Sequence, residues 1–232
     1  MKLAIMQPYF LPYIGYFQLI AAVDVFVVYD NIKYTKKGWI NRNRMLSNGA
    51  AATFSLPLRS DSDLLDVRDR ELSADFDRRR LLNRFEGAYR NAPQFAPTFE
   101  LVKRIVNDDH TNLFDYILHS LIELCAYLQI ETEIRVSSTV DIDHTLRGQD
   151  KVLALCKALG ATEYLNASGG TELYSVQQFA ANGIELGFLR SSPVEYAQGG
   201  AEFIPWLSMI DVLMFNPPET VRDWVSTKFV VG

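Results

Sequence analysis

Four cations, two asparagines and two aromatic rings fall between Tyr34 and Arg44, in the stretch YTKKGWINRNR. An arginine fork grips two oxygens of a phosphate or carboxylate at once, and an aromatic face stacks on a base or a sugar. Tyr34, Lys36, Trp39, Asn41, Arg42, Asn43 and Arg44 are therefore candidate ligand contacts. A second group lies in NASGG, at Asn166, Ser168, Gly169 and Gly170. Paired glycines let backbone amides approach an oxyanion, and a helix that follows adds its positive end. The third group, Gln7, Tyr9, Tyr13, Gly15 and Tyr16, sits in the uncharged run MQPYFLPYIGYF. Ser138 is a further candidate phosphate contact, and Asp30 or His144 could serve as a general base. No histidine or cysteine spacing resembles a zinc site, so no metal is expected. No nucleophile elbow, Walker loop or dinucleotide fingerprint is present. Cys125 and Cys156 lie in apolar helical patterns and read as buried thiols.

These groups need a scaffold that brings distant loops together. Lys2 to Met6 reads as a short strand buried on both faces, ended by Gln7-Pro8. A helix is expected from about Pro12 to Ala22, since proline suits a first turn. Val23 to Tyr29, rich in β-branched residues, is the second strand. Strand, helix, strand with short joints is the pattern of a parallel sheet. Asp30 to Arg44 is expected as a polar loop, then a hairpin turn at Ser47-Asn48-Gly49 and a strand over Ala52 to Leu58. The stretch 61–129 is charged at first and then helical, with Leu113, Ile117, Leu121 and Leu128 at helical spacing.

The alternation then resumes. Strands are expected at Glu133 to Ser137, Glu163 to Asn166 and Ile184 to Leu189, and helices at Asp150 to Leu159 and Glu172 to Asn182. Helices near Pro205 to Phe215 and Pro218 to Thr227 close the chain. The expected fold class is α/β: a three-layer sandwich with a mainly parallel sheet, one domain over 1–232 with a helical insertion or subdomain at 61–129. Ligands of such sheets bind beyond the carboxyl ends of the strands, near the switch in strand order. That rule gathers the loops after the first, second, fourth and fifth expected strands on one edge.

Composition narrows the function classes. The chain has 232 residues, 48 % of them hydrophobic, with 23 Lys and Arg against 28 Asp and Glu. The net charge of −5 opposes a nucleic-acid or anionic-membrane partner, so any anion site must be local. No apolar run is long enough to span a bilayer. The first twenty residues imitate a secretion signal, but Gln7, Pro8 and Pro12 interrupt its apolar centre. A cytoplasmic protein with no DNA partner and no membrane insertion is expected.

Several segments together resemble the WbqC-like family of bacterial proteins: MQPYFLPYIGYFQLI, DVFVVYDNIKYTKKGWINRNR, LGATEYLNASGG and the tail PWLSMIDVLMFN. The resemblance implies a role in assembling bacterial surface polysaccharide, O-antigen included. The task it suggests is acyl or aminoacyl transfer to a nucleotide-linked amino sugar, with ATP as the one cofactor to consider. The donor could be activated by ATP, as a thioester or as an aminoacyl-tRNA. A non-catalytic nucleotide-sugar-binding or assembly protein is the alternative. A glycosyltransferase ranks third, because its carboxylate pair would have to be Asp61 and Asp63 in a charged turn. More distantly, the layout is similar to nucleotidylyl transferases and pantothenate synthetase, which carry H-x-G-H at the start of the first helix. The equivalent residues here are Tyr13-Ile14-Gly15-Tyr16, with the glycine kept and both histidines replaced. That similarity implies a nucleotide lying against Gly15. The sugar, the acyl group and the oligomeric state are written in no motif.

Overall fold

The strand Lys2–Met6 (β1) alternates its side chains between two apolar layers, and this sets the architecture. Leu3 and Ile5 pack on one side, whereas Ala4 packs on the other. In the computed structural model, which describes residues 1–200 and 202–232, β1 lies near the middle of a six-stranded sheet. Its partners are Val25–Val28 (β2) and Glu163–Ala167 (β6), both parallel. Glu133–Val136 (β5) extends the sheet beyond β2, and Glu185–Ser191 (β7) extends it beyond β6, again in parallel. Phe229–Val231 (β8) closes one edge antiparallel to β7. With helices on both faces, this is the expected three-layer α/β sandwich. The strand order β5-β2-β1-β6-β7-β8 reverses direction between β1 and β6, which is the switch point of an open α/β sheet.

One face is covered by Gly148–Ala158 (α5) and Val176–Ala181 (α6), through Val152, Leu155, Cys156 and Phe179. The other face carries Ile14–Ala21 (α1), Met209–Phe215 (α7) and Pro218–Thr227 (α8). Arg78–Tyr89 (α2), Phe95–Val106 (α3) and Leu113–Tyr127 (α4) supply the helices expected within 61–129. Their residues Phe85, Ile105, Ile117 and Leu121 share a buried cluster with Phe17 of α1 and Phe26 and Val28 of β2. No helix among the described residues is long and apolar enough to cross a membrane.

Four local departures have physical causes. Arg42–Ser47 is not loop but strand β3, paired with Ala50–Ser55 (β4) through a turn at Asn48 (φ 51°) and Gly49 (φ 73°). Its charged letters conceal a period-two pattern, in which Asn43 and Met45 are buried. The helix expected over 172–182 is split: a 3₁₀ turn spans Ser168–Leu173, and Ser175 then accepts from Gln178 N to start α6. The helix expected near Pro205 begins only at Met209, where Ser208 accepts from Ile210 N. The edge strand β8 has no counterpart among the expected elements, since three residues after a helix carry no periodic signal.

Candidate functional site

Where β1 and β6 diverge, a cavity of about 850 Å³ opens beyond their carboxyl ends. Such a volume suits a nucleotide-sized ligand. Gln7, Tyr9, Tyr13, Gly15 and Tyr16 line it from the joint between β1 and α1. Asn166, Ser168, Gly169 and Gly170 line it from the end of β6. Two of the three groups expected from sequence therefore meet, although some 150 residues separate them in the chain.

The tyrosines do different work. Tyr16 is buried, and its hydroxyl donates to the Gln7 carbonyl oxygen at 2.8 Å, which locks the joint. Tyr9 stands 5.7 Å from the Tyr16 ring and faces Gln7 Oε1. Burial raises the phenol pKa values of Tyr9, Tyr13 and Tyr16, so each is a hydrogen-bond donor at neutral pH. Gly15 is not an open cradle. A Cβ there would lie 2.4 Å from the Tyr13 ring, so the glycine makes room for that ring. Gly170 likewise leaves space for the Asn166 amide, which a Cβ would meet at 2.5 Å. A Cβ at Gly169 would meet nothing within 4 Å, so its backbone faces open space.

The basic stretch after β2 divides in two. Its beginning, Asn31 to Lys33, lines the cavity. Tyr34, Lys36, Trp39, Asn41, Arg42, Asn43 and Arg44 do not appear in the lining, and most are committed to the protein itself. Arg42 donates to the carbonyls of Gly38 (2.8 Å) and Lys37 (2.5 Å), and Arg44 donates to that of Trp206 at 3.0 Å. Both guanidiniums lie 5.5 Å from the Trp39 ring centre. Asn43 donates to the Leu11 carbonyl, Asn41 to that of Leu56, and Tyr34 to Asn41 Oδ1. Lys36 pairs with Asp63 at 2.9 Å on the surface. Asp61 pairs with Arg59, so the Asp61-Ser62-Asp63 turn spends its carboxylates on neighbouring cations.

Asp30 and His144 belong to one buried network behind the cavity wall. Asp30, only 2 % exposed, accepts from Ser137 Oγ (2.7 Å) and from the Ser138 amide (2.9 Å). Ser138 thus contributes its backbone there, not a hydroxyl to the cavity. Ser137 Oγ also lies 2.7 Å from Asn31 Oδ1, and Asn31 Nδ2 donates to His144 Nδ1 at 2.9 Å. His144 Nε2 then donates to the Val140 carbonyl. Both ring nitrogens are occupied, and the network's product is a fixed Asn31 amide at the cavity edge.

Sequence reasoning missed the cavity's own charges. Lys33, Arg147 and Arg190 line it, and among the described residues none of these three side chains makes an ion pair or hydrogen bond. Arg147 is the N-terminal flank of α5, a helix whose first turn receives no side-chain cap, and Gly148 and Gln149 line the cavity beside it. Unbonded N–H groups and the helix dipole favour an anion at such a position. Asp66 is the one carboxylate among the described lining residues. Arg190 sits at the carboxyl end of β7, so the strand-end rule, applied to every strand, would have found it. Lys151 lies beneath the wall, 1 % exposed, with Nζ 3.4 Å from the Asn31 carbonyl and 5.1 Å from the Tyr29 ring centre. Burial lowers its pKa, while Tyr29 is pushed up to about 12, chiefly by burial.

No cluster of three or more His, Cys, Asp or Glu that could hold a metal occurs among the described residues. Both cysteine thiols are pushed up to about 12 by burial, the opposite of an activated nucleophile.

Comparison with known proteins adds kinship to this geometry. An uncharacterized protein of Mycobacterium tuberculosis is 27 % identical over 227 residues, covering 97 % of each chain. Residues 7–223 match the WbqC-like protein family, a span that takes in the β1–α1 joint, the hairpin and the β6 and β7 loops, and the chain belongs to that family.

Proposed function

We propose that the protein binds a nucleotide-linked amino sugar in this cavity and forms an amide on the sugar's amino group, as a step in assembling bacterial surface polysaccharide such as O-antigen. The observation that carries the reading is the cavity at the strand-order switch, with three uncommitted cations and tyrosine walls. Arg147 and the first turn of α5 hold the diphosphate, with Arg190 and Lys33 as flanking charges. Tyr29 and Tyr174 wall the base or ribose, and the amino sugar lies towards Tyr13 and Trp206.

In the reaction the amine nitrogen attacks the carbonyl carbon of an activated acyl donor. The C–N bond forms, the bond from the carbonyl to its leaving group breaks with the electron pair, and the amine gives up a proton. That proton passes to water, since Asp66, the one carboxylate among the described lining residues, neighbours Lys33 and Tyr29 and not the Tyr13–Trp206 end. The donor's leaving group is a phosphate ester made with ATP, a thiol, or the ester oxygen of an aminoacyl-tRNA. Because each splits into a stable anion or alcohol, no nucleophile on the enzyme is needed. A non-catalytic sugar-nucleotide carrier is the second reading, favoured by the buried, unactivated cysteines and the tyrosines that replace H-x-G-H.

Thermal-shift measurements with UDP- and dTDP-linked amino sugars, the parent sugars and ATP test the binding, because a ligand of the native state alone raises the melting temperature. No shift with any nucleotide would sink both readings. If an amino sugar nucleotide binds, mass spectrometry with each donor class separates catalysis, seen as amide mass on the sugar, from carriage.

A further inference from the structure

A second cavity, of about 460 Å³, adjoins the first and shares Tyr13, Ser191 and Trp206 with it. We infer that this second cavity is the donor subsite and that it takes an α-aminoacyl group, its ammonium held by Glu195 and Glu202; the inference rests on the amide-forming reading above.

Its walls are chemically unlike those of its neighbour. Ile14, Val194, Tyr196, Phe203, Leu207 and Val212 give it an apolar interior. Glu195 and Glu202 are its charged residues, and no Lys, Arg or His occurs among its described lining residues. A phosphate or a free carboxylate would meet only like charge there, and its counterpart sites are all in the larger cavity. An apolar side chain beside a cationic amine fits both the interior and the carboxylates. That is the group an activated apolar amino acid presents once its carboxylate has been consumed in the activated bond.

The wall is built rather than incidental. Tyr196 OH donates to Asp211 Oδ2 at 2.6 Å, and Gln198 Nε2 donates to the same oxygen at 2.9 Å and to the Ile204 carbonyl at 3.0 Å. Tyr89 OH donates to the other Asp211 oxygen at 2.8 Å, so a buried carboxylate ties Tyr196 and Gln198 to α2 and α7. At the junction, the Tyr13 and Trp206 rings meet edge to face with centroids 5.8 Å apart. Trp206 is 61 % exposed and has φ +62°, a left-handed value that a bulky residue adopts only when its surroundings impose it. Arg44, on its carbonyl, is one of those constraints. The acyl carbonyl and the sugar amine can thus meet beside these two rings, each approaching from its own cavity.

The test uses the full chain and L-leucinamide, which carries the ammonium and an apolar side chain but no carboxylate. Saturation-transfer NMR is run with L-leucinamide, N-acetyl-L-leucinamide, which lacks the cation, and 4-methylpentanoate, which carries a negative charge. Binding of leucinamide, about threefold to tenfold weaker in Glu195→Gln/Glu202→Gln and weakened by added salt, is the expected result. Val194→Trp, which narrows the cavity, should weaken all three probes, while leaving the thermal shift by the sugar nucleotide in place. Equal binding of leucinamide and its N-acetyl form, or binding that ignores both variants, overturns the assignment. So does absence of leucinamide binding in a protein that sugar nucleotides stabilise, and this outcome leaves the amide-forming reading standing. Leucinamide binding in a protein that no nucleotide stabilises overturns the donor role of the subsite together with the amide-forming reading on which it rests.

Discussion

The hairpin stretch from Tyr34 to Arg44 and the cavity edge around Arg147 are both rich in cations and aromatic rings, yet they treat those groups in opposite ways. In the hairpin, guanidiniums and amides are consumed by the protein's own carbonyls, those of Lys37, Gly38, Leu11, Leu56 and Trp206. Around the cavity, Lys33, Arg147 and Arg190 meet no such partner among the described residues. A charge already satisfied internally has little to offer a ligand, whereas an uncommitted one has its full hydrogen-bonding capacity in hand. Basic composition finds both kinds equally well. Geometry separates them.

The sharpest way to break this contrast is to remove cations from the cavity edge. Arg147→Ala/Arg190→Ala should lower sugar-nucleotide affinity by about 10- to 100-fold, the loss of charge-assisted hydrogen bonds to phosphate, with the melting temperature of the free protein unchanged. An effect no greater than that of Arg42→Ala, read by calorimetric titration, would reverse the assignment of the two regions. Next in size, Asn43→Ala should cost about 1–3 kcal/mol of stability in urea titration, because it removes a buried amide that donates to the Leu11 carbonyl and accepts from the Arg44 backbone N–H, while Leu11 keeps the Ser208 hydroxyl as a donor. Affinity of the folded fraction should stay level; a large affinity loss at unchanged stability would make Asn43 a ligand contact after all. Arg42→Ala should be smaller, about 0.5–1.5 kcal/mol of stability for two lost carbonyl contacts at a partly exposed site, with affinity within about twofold.

The smallest effect concerns pH. Burial holds the Lys151 pKa below its ordinary 10.5, so between those two values the unfolded chain binds more protons than the folded one. Stability contributed by this group therefore rises as pH increases through that window and levels off above the unfolded value. Lys151→Met should remove that slope in melting curves recorded from about pH 8 upward, and equal slopes in both proteins would show that the amine is not desolvated.

The opening run MQPYFLPYIGYF shows how far local reading carries. Its two prolines, its glycine and its position after a β-rich pentad announce a strand-to-helix joint, and β1 and α1 lie where that predicts. What the run does not announce is that Gly15 accommodates Tyr13, because that needs the rotamer of the ring. Asp30 and His144 are comparable. Their residue types suit a base, but the partners that occupy them, Ser137 for Asp30 and Asn31 for His144, lie 107 and 113 residues away in the chain.

From sequence alone came the βα alternation, the parallel sheet, the edge on which loops gather, the hairpin turn and the family resemblance. These rest on periodicity and turn chemistry, which are properties of neighbouring residues. Tertiary structure decided which cations are spent. Arg44 and the carbonyl that occupies it are 162 residues apart, and Asn43 and Leu11 are 32 apart, so nothing near either side chain in the chain records its partner. Hydrogen-bond satisfaction is settled only when distant backbone arrives, and here it spends the guanidiniums of the conspicuous basic stretch while Lys33, Arg147 and Arg190 line the cavity without such partners among the described residues.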